Sequence, residues 1–96
     1  MRRNNTELLR DVIGQFLKEN KLDKQLHEKR LIDAWPKVLG DNIKQYTTQL
    51  NIRNRVLYVK LSSSVLRHEL YLSKEHIVQS LNTAVGAMVI DDIVFT

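Results

Sequence analysis

The clearest pattern of apolar and polar residues lies at the centre of the chain, from Thr48 to Leu70. Two short runs in which apolar and polar residues alternate are followed by a triple serine, and beyond it the apolar spacing lengthens to three or four residues. Alternation is typical of a strand with one buried face, and the longer spacing is typical of an amphipathic helix. The stretch therefore predicts a β-hairpin that leads into a helix. Its predicted turn is Arg53-Asn54, because asparagine tolerates the left-handed backbone of tight turns.

The alternation also gives each strand of the hairpin a buried side and an outer side. The predicted core side consists of Leu50, Ile52, Leu57, Val59 and Leu61. The predicted outer side consists of Gln49, Asn51, Arg53, Val56, Tyr58 and Lys60. We expect the outer side to face solvent or a partner, since one face of an antiparallel sheet is commonly left uncovered.

Two amphipathic helices are predicted before the hairpin. The first covers residues 6–19, and the second begins with Asp23 as its N-cap. The second should end or kink at Trp35, because Pro36 lacks a backbone donor and clashes with the preceding turn. Pro36 could equally begin a short new turn that Gly40 closes.

After the hairpin, one of the serines 62–64 is expected to cap a helix. Ser73 is a second N-cap candidate, so this region can be two helices with a break, closed by Gly86. The last run, Val89 to Phe95, reads as a strand. Asp91-Asp92 is an unusual pair inside it, which predicts a bulge or a late start.

The predicted order is α-α-β-β-α-β, an α+β domain whose three-stranded sheet is covered on one face by helices. The 96 residues make a single domain, 1–96, in which residues 1–5 are expected to be a flexible N-terminus. No apolar run approaches the roughly 20 residues of a membrane span, and no apolar segment follows the basic N-terminus as in a signal peptide. We therefore expect a cytoplasmic protein.

Charge is unevenly distributed along the chain. The net charge of +4 and the pI near 9.6 describe a moderately basic protein. The segment from Asn42 to His68 contains five basic residues and no acidic one, whereas acidic and basic residues nearly balance elsewhere. Such a segment is compatible with an anionic partner.

Catalytic and metal-binding patterns are missing from the sequence. There is no cysteine, and the three glycines are too dispersed to form a phosphate-binding loop. His68 and His76 are about two helical turns apart, too far to share one metal, and Asp91 and Asp92 would point to opposite faces of a strand. The serines 62–64 fit N-capping better than nucleophilic catalysis. We expect no enzymatic activity, metal, cofactor or small-molecule substrate.

The outer side of the hairpin combines one aromatic ring with several cations. This composition suits phosphate contacts together with stacking on a base or sugar. The alternative is a solvated face on which lysine and arginine protect the sheet from aggregation. The candidate nucleic-acid-binding residues are Lys44, Arg53, Arg55, Tyr58, Lys60 and Arg67. Trp35, the single tryptophan, is either a core anchor between the second helix and the sheet or a partner-binding aromatic at the surface.

Several short motifs, taken in order, resemble the DciA-like family. The match runs from about Leu8 to Phe95. It rests mainly on the segments 35–40 (WPKVLG), 57–59 (LYV), 64–70 (SVLRHEL), 81–82 (LN) and 93–95 (IVF). The resemblance implies a KH-like fold and a bacterial protein of chromosome replication that binds DNA and helps to load or operate the replicative helicase. It also implies a partner-binding role for Trp35, which matches the family's tryptophan.

The chain differs from relatives of this kind in two ways. Many members carry a long extension beyond the domain, and almost nothing lies outside it here. The Gly-x-x-Gly loop by which true KH domains clamp a nucleic-acid backbone is also missing, so the hairpin is the candidate surface instead. The sequence therefore predicts a non-enzymatic DNA-binding adaptor. The alternatives are a protein-interaction module that does not bind nucleic acid and an RNA-binding KH-like protein.

Overall fold

The structure, a computed structural model, describes residues 22–96, so the predicted helix over residues 6–19 and the N-terminal residues 1–5 lie outside the described part. The chain forms an α+β fold with a three-stranded sheet, as predicted, and the sheet is mixed. Its elements are α1 (Leu22–Leu39), the 3-10 helix η1 (Asp41–Gln45), β1 (Thr47–Arg53), β2 (Val56–Leu61), α2 (Ser64–Leu72), α3 (Lys74–Val85) and β3 (Asp92–Phe95). The strand order is β1-β2-β3; β1 and β2 are antiparallel, and β2 and β3 are parallel.

The core lies between α1, α3 and one face of the sheet. Leu57, Val59 and Leu61 of β2 are buried, as the alternation predicted, and Leu50 and Ile52 of β1 pack against them half-buried. The helices and the segment before β3 contribute the remaining buried apolar side chains, namely Leu31, Ala34, Trp35, Ile43, Ile77, Leu81, Val89, Ile90 and Ile93. The opposite face of the sheet carries the alternate residues.

The prediction that the second helix ends or kinks at Trp35 is wrong about the ending, because α1 continues through Pro36 to Leu39. A proline inside a helix removes the hydrogen bond to the carbonyl four residues earlier, here that of Ile32, and costs about 3 kcal/mol. Packing offsets this cost, because the apolar face of α1 continues past the proline with Val38 and Leu39 against the core.

The hairpin turn lies one residue later than predicted. Arg53 pairs with Val56 as the last rung of the ladder, so Asn54 and Arg55 are the two turn residues. Both have positive φ angles, 52° and 64°. This is the mirror-image turn that matches the twist of the strands, and it puts an arginine where glycine is preferred.

The helices after the hairpin follow the serine signals. The Ser63 hydroxyl accepts a hydrogen bond from the Leu66 N–H at 3.2 Å and caps α2. The predicted break is confirmed, since Ser73 separates α2 from α3. Gly86 ends α3 in the left-handed conformation, with a φ of 83°.

The segment that connects α3 to β3 is fixed by Asn82, a polar side chain that is 5% exposed. The Asn82 Oδ1 accepts hydrogen bonds from the Val89 and Ile90 N–H groups at 2.9 and 3.1 Å, and its Nδ2 donates to the Ile90 carbonyl at 2.9 Å. β3 then begins at Asp92, which confirms the predicted late start.

Candidate nucleic-acid interface

The outer face of the sheet brings Arg53, Tyr58 and Lys60 together. Tyr58 lies opposite Asn51 in the β1–β2 ladder, and Arg53 is its diagonal neighbour. The Arg53 guanidinium carbon lies 4.7 Å from the centre of the Tyr58 ring, a cation–π contact. Tyr58 is half-buried and Arg53 is exposed, so the arginine is the more accessible member of this pair.

Lys60 lies two residues further along β2 on the same face and is exposed. Its neighbour across the ladder is Gln49, which is neutral. In the described residues this face carries one acid, Asp92, at the far strand. The Lys74 ammonium lies 3.1 Å from its Oδ1, and the Ile93 N–H donates to it at 2.8 Å. Both contacts lower the pKa of Asp92, and the hydrogen bond from the Ile93 N–H has the larger effect. The field of the face is therefore positive near Arg53 and Lys60.

Arg55 behaves differently from Arg53, although they are two residues apart. The Arg55 Nε and Nη2 donate to the two Asp91 carboxylate oxygens, each at 2.8 Å. The Asp91 N–H also donates to the Arg55 carbonyl at 2.8 Å. This hydrogen-bonded pairing raises the pKa of Arg55 and lowers the pKa of Asp91. The Asp91 carboxylate thus already occupies the donors that a phosphate would use.

Lys44 and Arg67 are not part of the Arg53–Tyr58–Lys60 group. Lys44 lines a concave region of about 570 Å³ on the helical side of β1, together with Trp35, Asp41 and Leu50. Arg67 lies in α2 and is half-buried, with its N–H bonded to the Ser63 carbonyl. Of the six predicted nucleic-acid-binding residues, the fold groups three; a role for the others stays a prediction.

Trp35 is a core residue with 1% of its surface exposed. Its Nε1 donates to the Thr47 hydroxyl at 3.1 Å, and that hydroxyl donates to the Ile43 carbonyl at 2.8 Å. The indole therefore ties α1 to the start of β1. It also forms part of the floor of the concave region beside β1, which leaves a partner-binding role for Trp35 as a prediction about that region.

Asp91 and Lys74 also shape this site through their charges, and no sequence pattern indicates either role. Asp91 belongs to an unusual acidic pair, and its separation of 36 residues from Arg55 along the chain hides their contact. Within residues 22–96, no three acidic or histidine side chains gather as potential metal ligands, and no helix is long and apolar enough to cross a bilayer. The site consists of two cationic side chains and one aromatic ring, and the hydrogen-bond donors of the two cations can bind and orient an anion.

Residues 8–95 match the family described as "Dna[CI] antecedent, DciA". The chain belongs to the DciA family. This confirms the resemblance of its short motifs, and the match includes every element from α1 to β3. The DciA family is associated with helicase loading in replication and is not known as a family of enzymes. Among curated proteins, none matches the chain.

Proposed function

We propose that this DciA-family protein is a non-enzymatic DNA-binding adaptor that acts with the replicative helicase in the bacterial cytoplasm. The observation that carries the DNA-binding half is the grouping of Arg53, Tyr58 and Lys60 on one sheet face, which no helix of residues 22–96 covers. Family membership supports the helicase half.

The geometry supports a specific division of roles on this face. Lys60 meets a phosphate as an exposed point charge. The Arg53 guanidinium, whose carbon lies 4.7 Å from the centre of the Tyr58 ring, offers a planar cation on which a base can stack. Tyr58 then supports the arginine and contributes its exposed edge. Contacts of this kind bind the backbone and base planes and do not read a sequence.

A salt series tests the DNA-binding proposal. Each phosphate contact adds a slope of about −0.9 for duplex DNA, or −0.7 for single strands, to the plot of log affinity against log salt. Arg53→Ala and Lys60→Ala should each reduce the magnitude of this slope by about 1. Lys29→Ala on α1 is the matched control, because this exposed lysine belongs to the helical layer, and its slope should equal that of the wild type.

Arg55 provides a sharper control within the hairpin. The Asp91 carboxylate already neutralises the Arg55 guanidinium. The double variant Arg55→Ala/Asp91→Ala, which keeps the net charge, should therefore leave the salt dependence of DNA affinity unchanged. Binding that is independent of salt, or a slope that falls only with the Arg55/Asp91 variant, would refute the proposed interface. Tighter binding to RNA than to DNA of the same sequence would favour the RNA-binding alternative.

One observation supports a separate protein-binding function. In α2 no residue is fully buried, and Val65 and Leu72 are 73% and 67% exposed. These two residues are seven apart and share one helix face, with the exposed His68 and Glu69 between them, so the face offers two apolar contacts and polar groups to a protein surface. If the helicase binds after nuclease treatment and binding is lost in Val65→Ser/Leu72→Ser, while no DNA binding is measurable, the protein is an interaction module.

A further inference from the structure

The outer edge of β1 has no neighbouring strand within residues 22–96. In the strand order β1-β2-β3, β1 pairs on one side only. β1 is a seven-residue strand, TTQLNIR, with no proline or lysine and one charge at its end. Proteins usually protect such edges with charges, proline or a bulge. The bulge here lies between Thr47 and Gln49, so the rest of the strand keeps a regular edge.

The contacts of β2 show which way its backbone groups point. The Leu61 N–H donates to the Thr96 carbonyl, and the Thr96 N–H donates to the Val59 carbonyl, both at 2.9 Å. The backbone groups of Val59 and Leu61 therefore face the β3 side. Because these directions alternate along a strand, the backbone N–H and C=O groups of Tyr58 and Lys60 face β1 and bond to it.

The direction of the β1 backbone groups follows from this ladder. Asn51 and Gln49 lie opposite Tyr58 and Lys60, so their N–H and C=O groups bond to β2. The N–H and C=O groups of Leu50 and Ile52 must then point to the open edge.

We propose that the occupant of this edge is a second copy of the chain, added antiparallel across a two-fold axis at Asn51. In this register Leu50 lies opposite Ile52 of the second copy, and Asn51 lies opposite Asn51 of the second copy. All four edge-facing backbone groups of each chain are then used, which gives four interchain hydrogen bonds. A shift by two residues would use the bulged start of β1 or the turn instead.

The side chains agree with this register. Leu50 and Ile52 form an apolar pair on the core side, and the two Asn51 amides can bond to each other on the outer side. Arg53 lies opposite Gln49 of the second copy, and the two Arg53 residues are about 14 Å apart along the strand. Because this exceeds the screening length of about 8 Å at physiological salt, their repulsion is weak. A self-complementary contact of this kind is what a two-fold interface requires.

The surroundings of the edge are compatible with a second copy. The concave region beside β1 is rimmed by two acids and two lysines, Asp33, Lys37, Asp41 and Lys44. This rim has no net charge, so it does not repel its symmetry mate as a rim of one sign would. The pair would form one six-stranded sheet and align two Arg53–Tyr58–Lys60 groups on one continuous face. The pairing itself does not depend on nucleic-acid binding.

A single cysteine tests the register directly, since the chain contains no natural cysteine. Asn51 and its copy form a pair without backbone hydrogen bonds, with Cα atoms about 4.5 Å apart, which is within the range of a disulfide. Asn51→Cys should therefore oxidise rapidly to a covalent dimer. The matched control is Gln79→Cys, exposed on α3, which should crosslink only at the rate of random collision. Equal rates for the two variants would overturn the proposal.

Charged substitutions at Asn51, the residue on the two-fold axis, give a second test that needs no covalent crosslink. In sedimentation equilibrium the wild type should approach twice its 11.2 kDa mass as concentration rises. Asn51→Lys and Asn51→Asp should each weaken self-association about fivefold through like charges facing each other, and an equimolar mixture should restore it as a heterodimer. Gln79→Lys should behave as the wild type. A wild-type chain that stays monomeric at millimolar concentration, or variants whose mixture does not associate, would refute the second-copy occupant.

Discussion

The two ends of the hairpin are fixed by different physics. At the end away from the turn, where β1 begins and which we call the open end, the buried Trp35 indole donates to the Thr47 hydroxyl. That hydroxyl donates to the Ile43 carbonyl. At the turn end, Arg55 and Asp91 form an ion pair whose side chains are 48% and 61% exposed. Both ends join residues distant in sequence, yet the first contact is buried and neutral and the second is wet and charged.

This difference determines what each end responds to. A buried donor without an acceptor costs about 1–3 kcal/mol, and neither salt nor mild acid changes that cost. An exposed ion pair is screened by salt and competes with water, so it contributes little to stability. The open end therefore fixes the hairpin on α1, whereas the turn end can adjust with conditions.

The largest effect is expected behind the turn end, where a buried side chain supports the exposed pair. Asn82→Ala leaves the Val89 and Ile90 N–H groups and the Ile90 carbonyl without partners in the core. We expect a loss of about 3 kcal/mol in the free energy of unfolding, measured by urea denaturation. Gln79→Ala, exposed on the same helix, should change it by less than about 0.5 kcal/mol. Equal stabilities would mean that Asn82 does not fix this segment.

At the open end, Thr47→Val keeps the shape of the side chain and removes the acceptor of the Trp35 indole. The free energy of unfolding should fall by about 2 kcal/mol, because the indole N–H is left unpaired. The neighbouring Thr48 supplies the control: its hydroxyl donates to the Lys60 carbonyl at the surface, so Thr48→Val should cost about 0.5 kcal/mol or less. If both variants lose the same stability, the buried bond has no special weight.

Arg55→Gly places two effects at the turn end in opposition. Glycine adopts the positive φ of 64° without strain and completes the Asn-Gly pair favoured in this turn. The same change removes an exposed ion pair, which is worth little. The backbone effect should win, and the melting temperature should rise. Asn54→Gly, at a position that already tolerates this conformation, should raise it less. A drop in the melting temperature of Arg55→Gly would mean that the pair outweighs the turn.

The smallest effect is a dependence on acid. The pKa of Asp91 is lowered by its hydrogen bonds to Arg55, so the ionised form favours the folded state. Its contribution is complete above the unfolded pKa of about 3.9 and disappears as the pH falls through the lower folded pKa. Asp91→Asn should therefore lose less stability than the wild type below about pH 4, measured by thermal unfolding. Thr47→Val is the control, and its stability should depend on pH as that of the wild type does. An unchanged acid profile in Asp91→Asn would contradict this.

Local patterns predicted most of the fold, and contacts between distant residues account for the errors. Alternation identified the core side of β2, and single residues such as Ser73 and Gly86 marked where helices end. Pro36 was misread because the packing that keeps α1 helical comes from the core and not from its neighbours in sequence. The turn was displaced by one residue because strand pairing, not residue preference, placed Arg55 in it.

The candidate site was predictable only in part, for the same reason. Strand alternation grouped Arg53, Tyr58 and Lys60 correctly, because all three lie on one hairpin. A stretch without acids along the chain does not make a surface without acids. Asp91, directly before the parallel strand β3, reaches Arg55, and Lys44 lies in η1 beside the concave region on the helical side.

The parallel pairing of β2 with β3 also constrains the order of folding. β1 and β2 are joined by a two-residue turn and can pair as soon as they are synthesised, but β2 receives its second neighbour only after residues 92–96 follow α2 and α3. Until then the Leu57 and Val59 side of β2 is a second open edge. A folding intermediate that contains the hairpin without β3 therefore exposes backbone groups on both sides of the sheet, and the docking of β3 protects the central strand from pairing with other chains.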